Sequence, residues 1–302
     1  MLLSLIPQLS EQTELILVGD GISELMSLSI QKKHPEISIY TIPKTGANSA
    51  RQYGIEKSQG DYILLSDSDD VIPDQTLLLY QTIIQKHQPD IIIGNVERYT
   101  ESVNQGIFYH FTHADTLLYK NKLSDHQLYS FPVLIFCKCF NRNLMKAIRF
   151  EDSSMYQDFS ISANLFKQAN SLFFTNEIVY CYYARKDSVS SSESNTPSNL
   201  MAALPAVYSV IDHYNIHTLS SIEKKFFTFS LIRFYFTAIL RSIPLHNIDL
   251  SNRLRKDALN HLFIRDLFNI ILVPKPFIMG IIIYSKIIFI LYYKVKRLTV
   301  KR

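Results

Sequence analysis

Three carboxylates close an apolar run in this 302-residue chain: Gly60-Asp61-Tyr62-Ile63-Leu64-Leu65-Ser66-Asp67-Ser68-Asp69-Asp70. Asp67 and Asp69 have the spacing Asp-x-Asp, and carboxylates two apart on an extended chain lie on one side. Hard divalent cations such as Mg²⁺ or Mn²⁺ prefer oxygen ligands and are often shared with substrate phosphates. A pair of this kind at the C-terminal end of a strand sits where open α/β sheets bind ligands. The plain alternative is a solvated acidic turn, because Asp is common at turns.

The elements that must position these carboxylates follow from the apolar pattern. Residues 15–18, 37–42, 62–66, 90–95 and 177–183 read as strands, and 48–58, 75–87 and 158–169 as helices, the first closed by Gly60. Strands alternating with helices argue for an α/β sheet with parallel pairs. The pattern weakens from 106 to 129, where an acceptor-binding insertion could sit, and the Ser-rich stretch 188–199 reads as a loop. Ser220-Ser221-Ile222-Glu223 has the form of a capping box ahead of the aromatic run 226–240, with Pro244 after it. Residues 270–293 are strongly apolar yet carry Pro274, Lys275, Pro276 and Lys286, and Lys294, Lys296, Arg297, Lys301 and Arg302 follow. About 20 mostly apolar residues can cross a bilayer. The lysines and prolines favour instead a segment that lies in the membrane surface, with its basic tail against anionic headgroups. An ordinary core helix is the third option. The expected division is 1–190 for the α/β domain and 191–302 for a helical, membrane-seeking extension.

Bulk composition is that of a globular chain, 47% hydrophobic and 19% charged. The net charge of +4 is too mild to argue for nucleic acid, and no arginine-rich stripe supports it. Cys137, Cys139 and Cys181 are odd in number and in apolar surroundings, so they are expected as buried free thiols of a reducing compartment. The first seven residues lack the basic flank and cleavage region of a signal peptide.

The acidic run joins three other blocks. Leu15-Ile16-Leu17-Val18-Gly19-Asp20-Gly21 and Gly46-Ala47-Asn48-Ser49-Ala50-Arg51-Gln52-Tyr53-Gly54-Ile55 precede it, and Gln157-Asp158 follows. In this order the blocks resemble the family 2 glycosyltransferases, with a GT-A type nucleotide-sugar fold, over about residues 1–190. The resemblance implies that Asp69 ligates Mn²⁺ or Mg²⁺, that Asp67 holds the ribose or the ion's water shell, and that Asp70 supports them from behind or is a plain turn residue. It implies that Asp20 meets the nucleobase, although Asp20-Gly21 could also be a turn pair. Arg51 would bridge base and phosphate, or be an exposed helix charge. Asp158 would be the catalytic base, with a helix N-terminal acid as its bland alternative and Glu151 and Asp152 as rivals. Arg185 and Ser188, in Tyr180-x-Tyr182-Tyr183-x-Arg185-x-x-Ser188, would touch the diphosphate or merely begin a loop. His110, His113 and His126 lack ligand spacing and are expected at the surface.

The chain departs from the family's pattern in places. Gly19-Asp20-Gly21-Ile22 stands for Asp-Asp-Gly-Ser, Gln52 for Asn, and Gln157 for Glu. Residues 1–9 match only the tail of the helix that follows the family's first strand, and that strand would be internal to the sheet, so its loss would expose apolar edges on its neighbours. The activity implied is metal-dependent, inverting transfer from a nucleotide-sugar, by family habit a UDP-sugar, to a saccharide or lipid-linked acceptor. The setting implied is bacterial surface polysaccharide or glycolipid synthesis at the cytoplasmic face of the membrane. One alternative is a membrane-associated remnant with a defective donor site. The other is a phosphatase of the haloacid dehalogenase type, whose nucleophile strand should come first and does not.

Overall fold

A computed structural model describes residues 1–100, 103–109, 115–148, 150, 157–185, 196–202, 204–205, 207–208, 219–242, 248–261, 278–279 and 282–283. In chain order the elements are α1 (Leu2–Leu5), β1 (Ile16–Asp20), α2 (Glu24–Lys33), β2 (Ser38–Ile42), α3 (Ala47–Lys57), β3 (Tyr62–Leu64), α4 (Thr76–His87), β4 (Ile91–Thr100), β5 (Val103–Tyr109) and β6 (Thr116–Tyr119). There follow α5 (Asp125–Ser130), β7 (Lys138–Asn141), α6 (Arg142–Lys146), α7 (Gln157–Gln168), β8 (Ser171–Ala184), α8 (Pro197–Ala202), α9 (Ser221–Ser242) and α10 (Ile248–His261). They form two compact units. The first comprises Met1–Lys120, Leu134–Asp152 and Asn164–Arg185, and the second Asn121–Val133, Ser153–Ala163 and Lys186–Arg302. The division is therefore not a single cut in the chain, and it falls inside α7.

The first unit is built on β4. Ile91, Ile92, Ile93 and Val96 are fully buried there. Burying a side chain of this kind contributes about 2 kcal/mol, and continuous apolar runs suit a strand covered on both faces. β4 pairs in parallel with β8 and antiparallel with β7 and β5; β7 pairs on with β3, and β8 with β6. The Asp90 carboxylate pins the two central strands at their start by accepting from the backbone N–H of Asn170 and Ser171 at 2.7 and 3.0 Å. Further along, Gly94 alone faces the three residues Thr175, Asn176 and Glu177, since Ile93 pairs with Phe174 and Asn95 with Ile178. Asn95 Nδ2 holds this bulge by donating to the Asn176 carbonyl at 2.6 Å. Bulges re-aim side chains beside functional sites, and here the bulge precedes Tyr180.

β1 and β2 form a separate parallel pair. Among the described residues, β1 has β2 as its one strand neighbour and β3 has β7. The expected single α/β sheet is thus two sheets, one of them mixed, flanked by helices. Between the two, Glu14 Oε1 accepts the backbone N–H of Gln59 and Gly60 at 2.6 and 2.7 Å. Residues 1–9 do pack on this unit. Ser4 Oγ accepts the Ile72 amide at 3.1 Å, and Gln8 bonds the Pro73 carbonyl and the Leu77 amide at 3.0 and 3.2 Å.

Several elements differ from the sequence reading. β3 stops at Leu64 because the chain turns through Asp67–Asp70, whereas α3 runs within one residue of the reading at each end and is closed by Ser58 instead of Gly60. α2 is capped by Ser23, whose hydroxyl accepts from the Met26 amide, but Leu25, Met26 and Leu28 face solvent, so no core-facing stripe announces it. β5 and β6 occupy part of the stretch read as irregular. All three cysteines are free and buried, as expected, and burial pushes the Cys139 thiol up to about 12.

The second unit is helical. α9 buries Phe226, Phe227, Phe229, Phe234, Tyr235 and Phe236. Its capping box forms as read, with Glu223 Oε2 accepting the Ser220 amide at 2.9 Å and Ser220 Oγ accepting the Glu223 amide at 3.4 Å. In α10, Asp257 accepts the Tyr208 and Tyr235 hydroxyls, each at 2.7 Å. Among the described residues no helix is long and apolar enough to cross a membrane. Apart from 278–279 and 282–283, the apolar and basic tail lies outside the described residues.

A Cβ placed on Gly94 would lie 2.4 Å from Val179 Cγ1, inside the buried β4–β8 seam. Gly94→Ala is expected to destabilise the first unit by about 1–3 kcal/mol, read as a lower denaturation midpoint at unchanged slope.

Candidate functional site

The acidic residues sit on a tight turn. The Asp70 amide donates to the Asp67 carbonyl at 3.4 Å, so Asp67 and Asp69 are presented by a turn rather than by an extended strand end. What fixes the turn is a contact with β8, more than a hundred residues away. The Tyr180 hydroxyl donates to Asp70 Oδ2 at 2.6 Å and accepts the Asp67 amide at 3.2 Å. The Tyr183 amide donates to Asp70 Oδ1 at 2.8 Å. Immediately beyond, Val71 and Cys181 exchange backbone hydrogen bonds of 3.1 and 2.9 Å. Asp70 is buried, and that burial raises its carboxyl to about 6 against the two hydrogen bonds that favour the anion; the charges of Asp69 and Asp67 push the same way as burial. Burial likewise pushes the Tyr180 phenol far up, so it stays a neutral donor. Asp70 is therefore the internal anchor of the turn, while Asp67 and Asp69 reach outward.

Each outward carboxylate meets an arginine. Arg51, on α3, donates to Asp67 Oδ1 at 2.6 Å and to Asn48 Oδ1 at 3.0 Å. Arg185, the residue after β8, pairs with Asp69. Asp20, at the end of β1, joins the same assembly by way of α3. Its two oxygens accept the backbone N–H of Thr45 at 2.7 Å and Gly46 at 3.0 Å, at the helix's N-terminus. Gly46 has φ +114°, which a side chain would oppose. The structure thus gathers Asp67, Asp69, Asp70, Arg51 and Arg185 around one turn and ties Asp20 to the helix that carries Arg51.

Asp158 is in the first turn of α7, half-buried, and belongs to the second unit. Ser188, Glu151 and Asp152 lie outside the described residues, as do His110 and His113. Tyr180 and Asn48 were not expected as site residues. Asn48 is buried and buttresses Arg51. Gln52, one of the departures from the family pattern, accepts the Phe150 amide at 3.3 Å and so has a structural use. Tyr99 and Tyr183 stack with centroids 4.8 Å apart beside the same strand end.

The donor set suits a hard cation completed by substrate. Among the described residues no three His, Cys, Asp or Glu gather into a ready-made cage. Mg²⁺-like ions commonly take one or two carboxylates, with phosphate and water supplying the rest. Asp67 and Asp69 would provide the two carboxylates. Ser66 Oγ, one residue before them, is a buried hydroxyl without a hydrogen-bond partner, an orphan next to the pair.

Residues 1–148 match the model of the family described as Glycosyl transferase family 2. The chain is 26% identical over 202 residues to glycosyltransferase GlyA of Streptococcus pneumoniae serotype 4, covering 62% of this chain and 28% of that protein. It is 23% identical over 191 residues to the minor teichoic acid biosynthesis protein GgaB of Bacillus subtilis, covering 61% of this chain and 21% of that protein. It therefore spans well under half the length of either relative. Among solved structures, S. aureus TarS 1-349 in complex with UDP aligns with a TM-score of 0.52 at 15% identity, over 87% of this chain and 88% of that one. The complex of the same protein with UDP-GlcNAc gives 0.51 at 14% identity, over 84% of both chains. These structures share the fold.

The raised carboxyl of Asp70 has a consequence for pH. Its ordinary value is 3.8 and its folded value about 6, so the fold favours the protonated form. Its contribution is full below the unfolded value and is lost as pH rises through about 6. Without divalent cations, wild-type stability relative to Asp70→Asn should fall by about 2 kcal/mol between pH 4 and pH 7. Paired denaturant titrations check this, and a difference that stays flat across that window would contradict it.

Proposed function

Because the chain carries a family 2 glycosyltransferase region over residues 1–148, we propose that it moves a sugar from a nucleotide-sugar donor to a saccharide or lipid-linked acceptor. The observation that carries this reading is the Asp67–Asp70 turn, with two carboxylates directed outward and both partnered by arginine. Asp69 would hold Mn²⁺ or Mg²⁺, and Asp67 the ribose or the ion's water shell. The ion would act as a Lewis acid on the departing diphosphate. Arg51 and Arg185 would donate forked hydrogen bonds to phosphate oxygens, with Ser188 beside them. Asp20 would meet the nucleobase through lone pairs not used by the Thr45 and Gly46 amides. Asp158 would take the proton from the acceptor hydroxyl as the new bond forms. Attack in line with the leaving nucleotide inverts the anomeric centre.

Uridine nucleotides are the favoured donors, supported by the UDP and UDP-GlcNAc complexes of the structural neighbour. A cell-surface polymer is the favoured product, supported by the name of the GgaB relative. The tail beyond residue 270 would keep the protein at the cytoplasmic face of the membrane. One observation favours a second reading, a remnant that no longer binds donor: β1, which carries Asp20, is not hydrogen-bonded to the sheet that carries the acidic turn.

A thermal-shift panel of UDP, GDP and CDP with Mn²⁺ separates the two readings, since a ligand that binds the native state raises the melting point. A metal-dependent rise with UDP is expected, absent in Asp69→Ala. Asp158→Asn should keep that rise and lose about 10²–10⁴-fold in kcat. A cooperative melt that no nucleotide shifts would select the remnant. Removal of the residues after 265 should abolish sedimentation with anionic vesicles, and unchanged sedimentation would remove the tail from the membrane role.

A further inference from the structure

The carboxylates expected to meet a cation are already paired with positive charge. Arg51 on Asp67 is the fixed pair: its side chain is 17% exposed, and Asn48 holds a second guanidinium nitrogen. Arg185 on Asp69 differs. Its side chain is 57% exposed, while that of Asp69 is 26% exposed. The backbone leading to Arg185 is held, because the Tyr183 amide is bonded to Asp70 and Cys181 is bridged to Val71. With more than half of its side chain exposed, the guanidinium has room to exchange Asp69 for another anion while the strand stays in place.

Competition follows from charge. A guanidinium and a divalent cation on one carboxylate repel each other at short range. A cation arriving alone must displace Arg185 and leave it without its anion. A diphosphate arriving alone must draw Arg185 from Asp69 and leave that carboxylate without its counter-ion. When both arrive, the charges re-pair: cation with Asp69, guanidinium with phosphate. Phosphate also suits the planar fork of arginine as well as a carboxylate does.

We propose that Arg185 is an exchangeable counter-ion of Asp69, which neutralises that carboxylate in the ligand-free chain and passes to the donor's diphosphate when a divalent cation takes Asp69. This rests on the donor-site reading above and adds to it an obligatory coupling. Cation and nucleoside diphosphate each raise the affinity of the other, by the same factor in both directions. The cation alone binds poorly because an internal cation holds its place.

The test is the binding of Mn²⁺, followed by the paramagnetic resonance of the free ion, with and without UDP at matched concentrations. The full-length wild type is compared with Arg185→Ala and Arg185→Gln. Loss of an exposed pair of this kind should tighten Mn²⁺ alone by about three- to fivefold, while UDP in the presence of Mn²⁺ should bind more weakly than to the wild type. Opposite signs in the two arms support the exchange, because a merely structural role for Arg185 would weaken both. Mn²⁺ affinity that is unchanged or weaker in both variants overturns it. A wild type that binds Mn²⁺ but not UDP overturns the donor reading and the coupling with it; the comparison of Mn²⁺ alone then still decides whether Arg185 occupies the cation's place on Asp69.

Discussion

The buried carboxylate of Asp70 is the interaction on which the rest of the site depends. A buried anion is costly unless its oxygens are hydrogen-bonded, and here Tyr180 and the Tyr183 amide each take one. The same tyrosine hydroxyl holds the Asp67 amide. Asp67 and Asp70 on the turn and Tyr180 and Tyr183 on β8 are thereby set against each other, and the turn that bears Asp67 and Asp69 acquires a definite register with β8. The position of Arg185 next to Asp69 follows from that register. Tyr180 in turn is fixed by burial and by stacking on Phe136, with centroids 4.5 Å apart.

This arrangement separates rigid from movable parts. β4 and β8 form a dry seam, sealed by Asp90 at one end and shaped by the bulge at Gly94. The seam ends in polar groups that are internally satisfied. Only the outermost charges, Asp67 and Asp69 with their arginines, lie where a ligand could rearrange them. Preorganised carboxylates on a stiff frame lower the entropic cost of binding, while flexible guanidinium arms supply the adjustment. The family match covers this frame through residue 148, and TarS shares its fold.

The outward carboxylates and the backing position of Asp70 were legible in the sequence, and the partner that holds Asp70 was not. Asp-x-Asp after an apolar strand is a local signal, as are Asp20 before a glycine and Arg51 on a helix. Tyr180 and Asp70 become partners only through folding, so neither residue type nor spacing marks them as a pair. Strand lengths were underestimated where pairing carried them on: β4 and β8 run past their apolar cores because each supplies the other's hydrogen bonds. α2 escaped notice because Leu25, Met26 and Leu28 point outward, against the pattern by which helices are recognised. The capping box of α9 was legible because it is written within four residues. The short β7 was hidden by Lys138, a charged residue in a fully buried place whose ammonium donates to the Leu134 carbonyl at 2.6 Å.

The separation of β1 and β2 from the larger sheet bears on how the molecule breathes. Cooperative opening follows hydrogen-bonded and packed neighbourhoods. The β1–α2–β2 piece, a parallel pair with its crossover helix, shares no strand pairing with the β4–β8 seam among the described residues, and α2 has no buried side chain. Its backbone amides are therefore expected to exchange with solvent through a sub-global opening below the free energy of full unfolding. Asp20 rides on that piece. A ligand gripping Asp20 and the acidic turn together would stitch the least protected segment of the first unit to the most protected one, and amide protection across residues 16–42 would register its arrival.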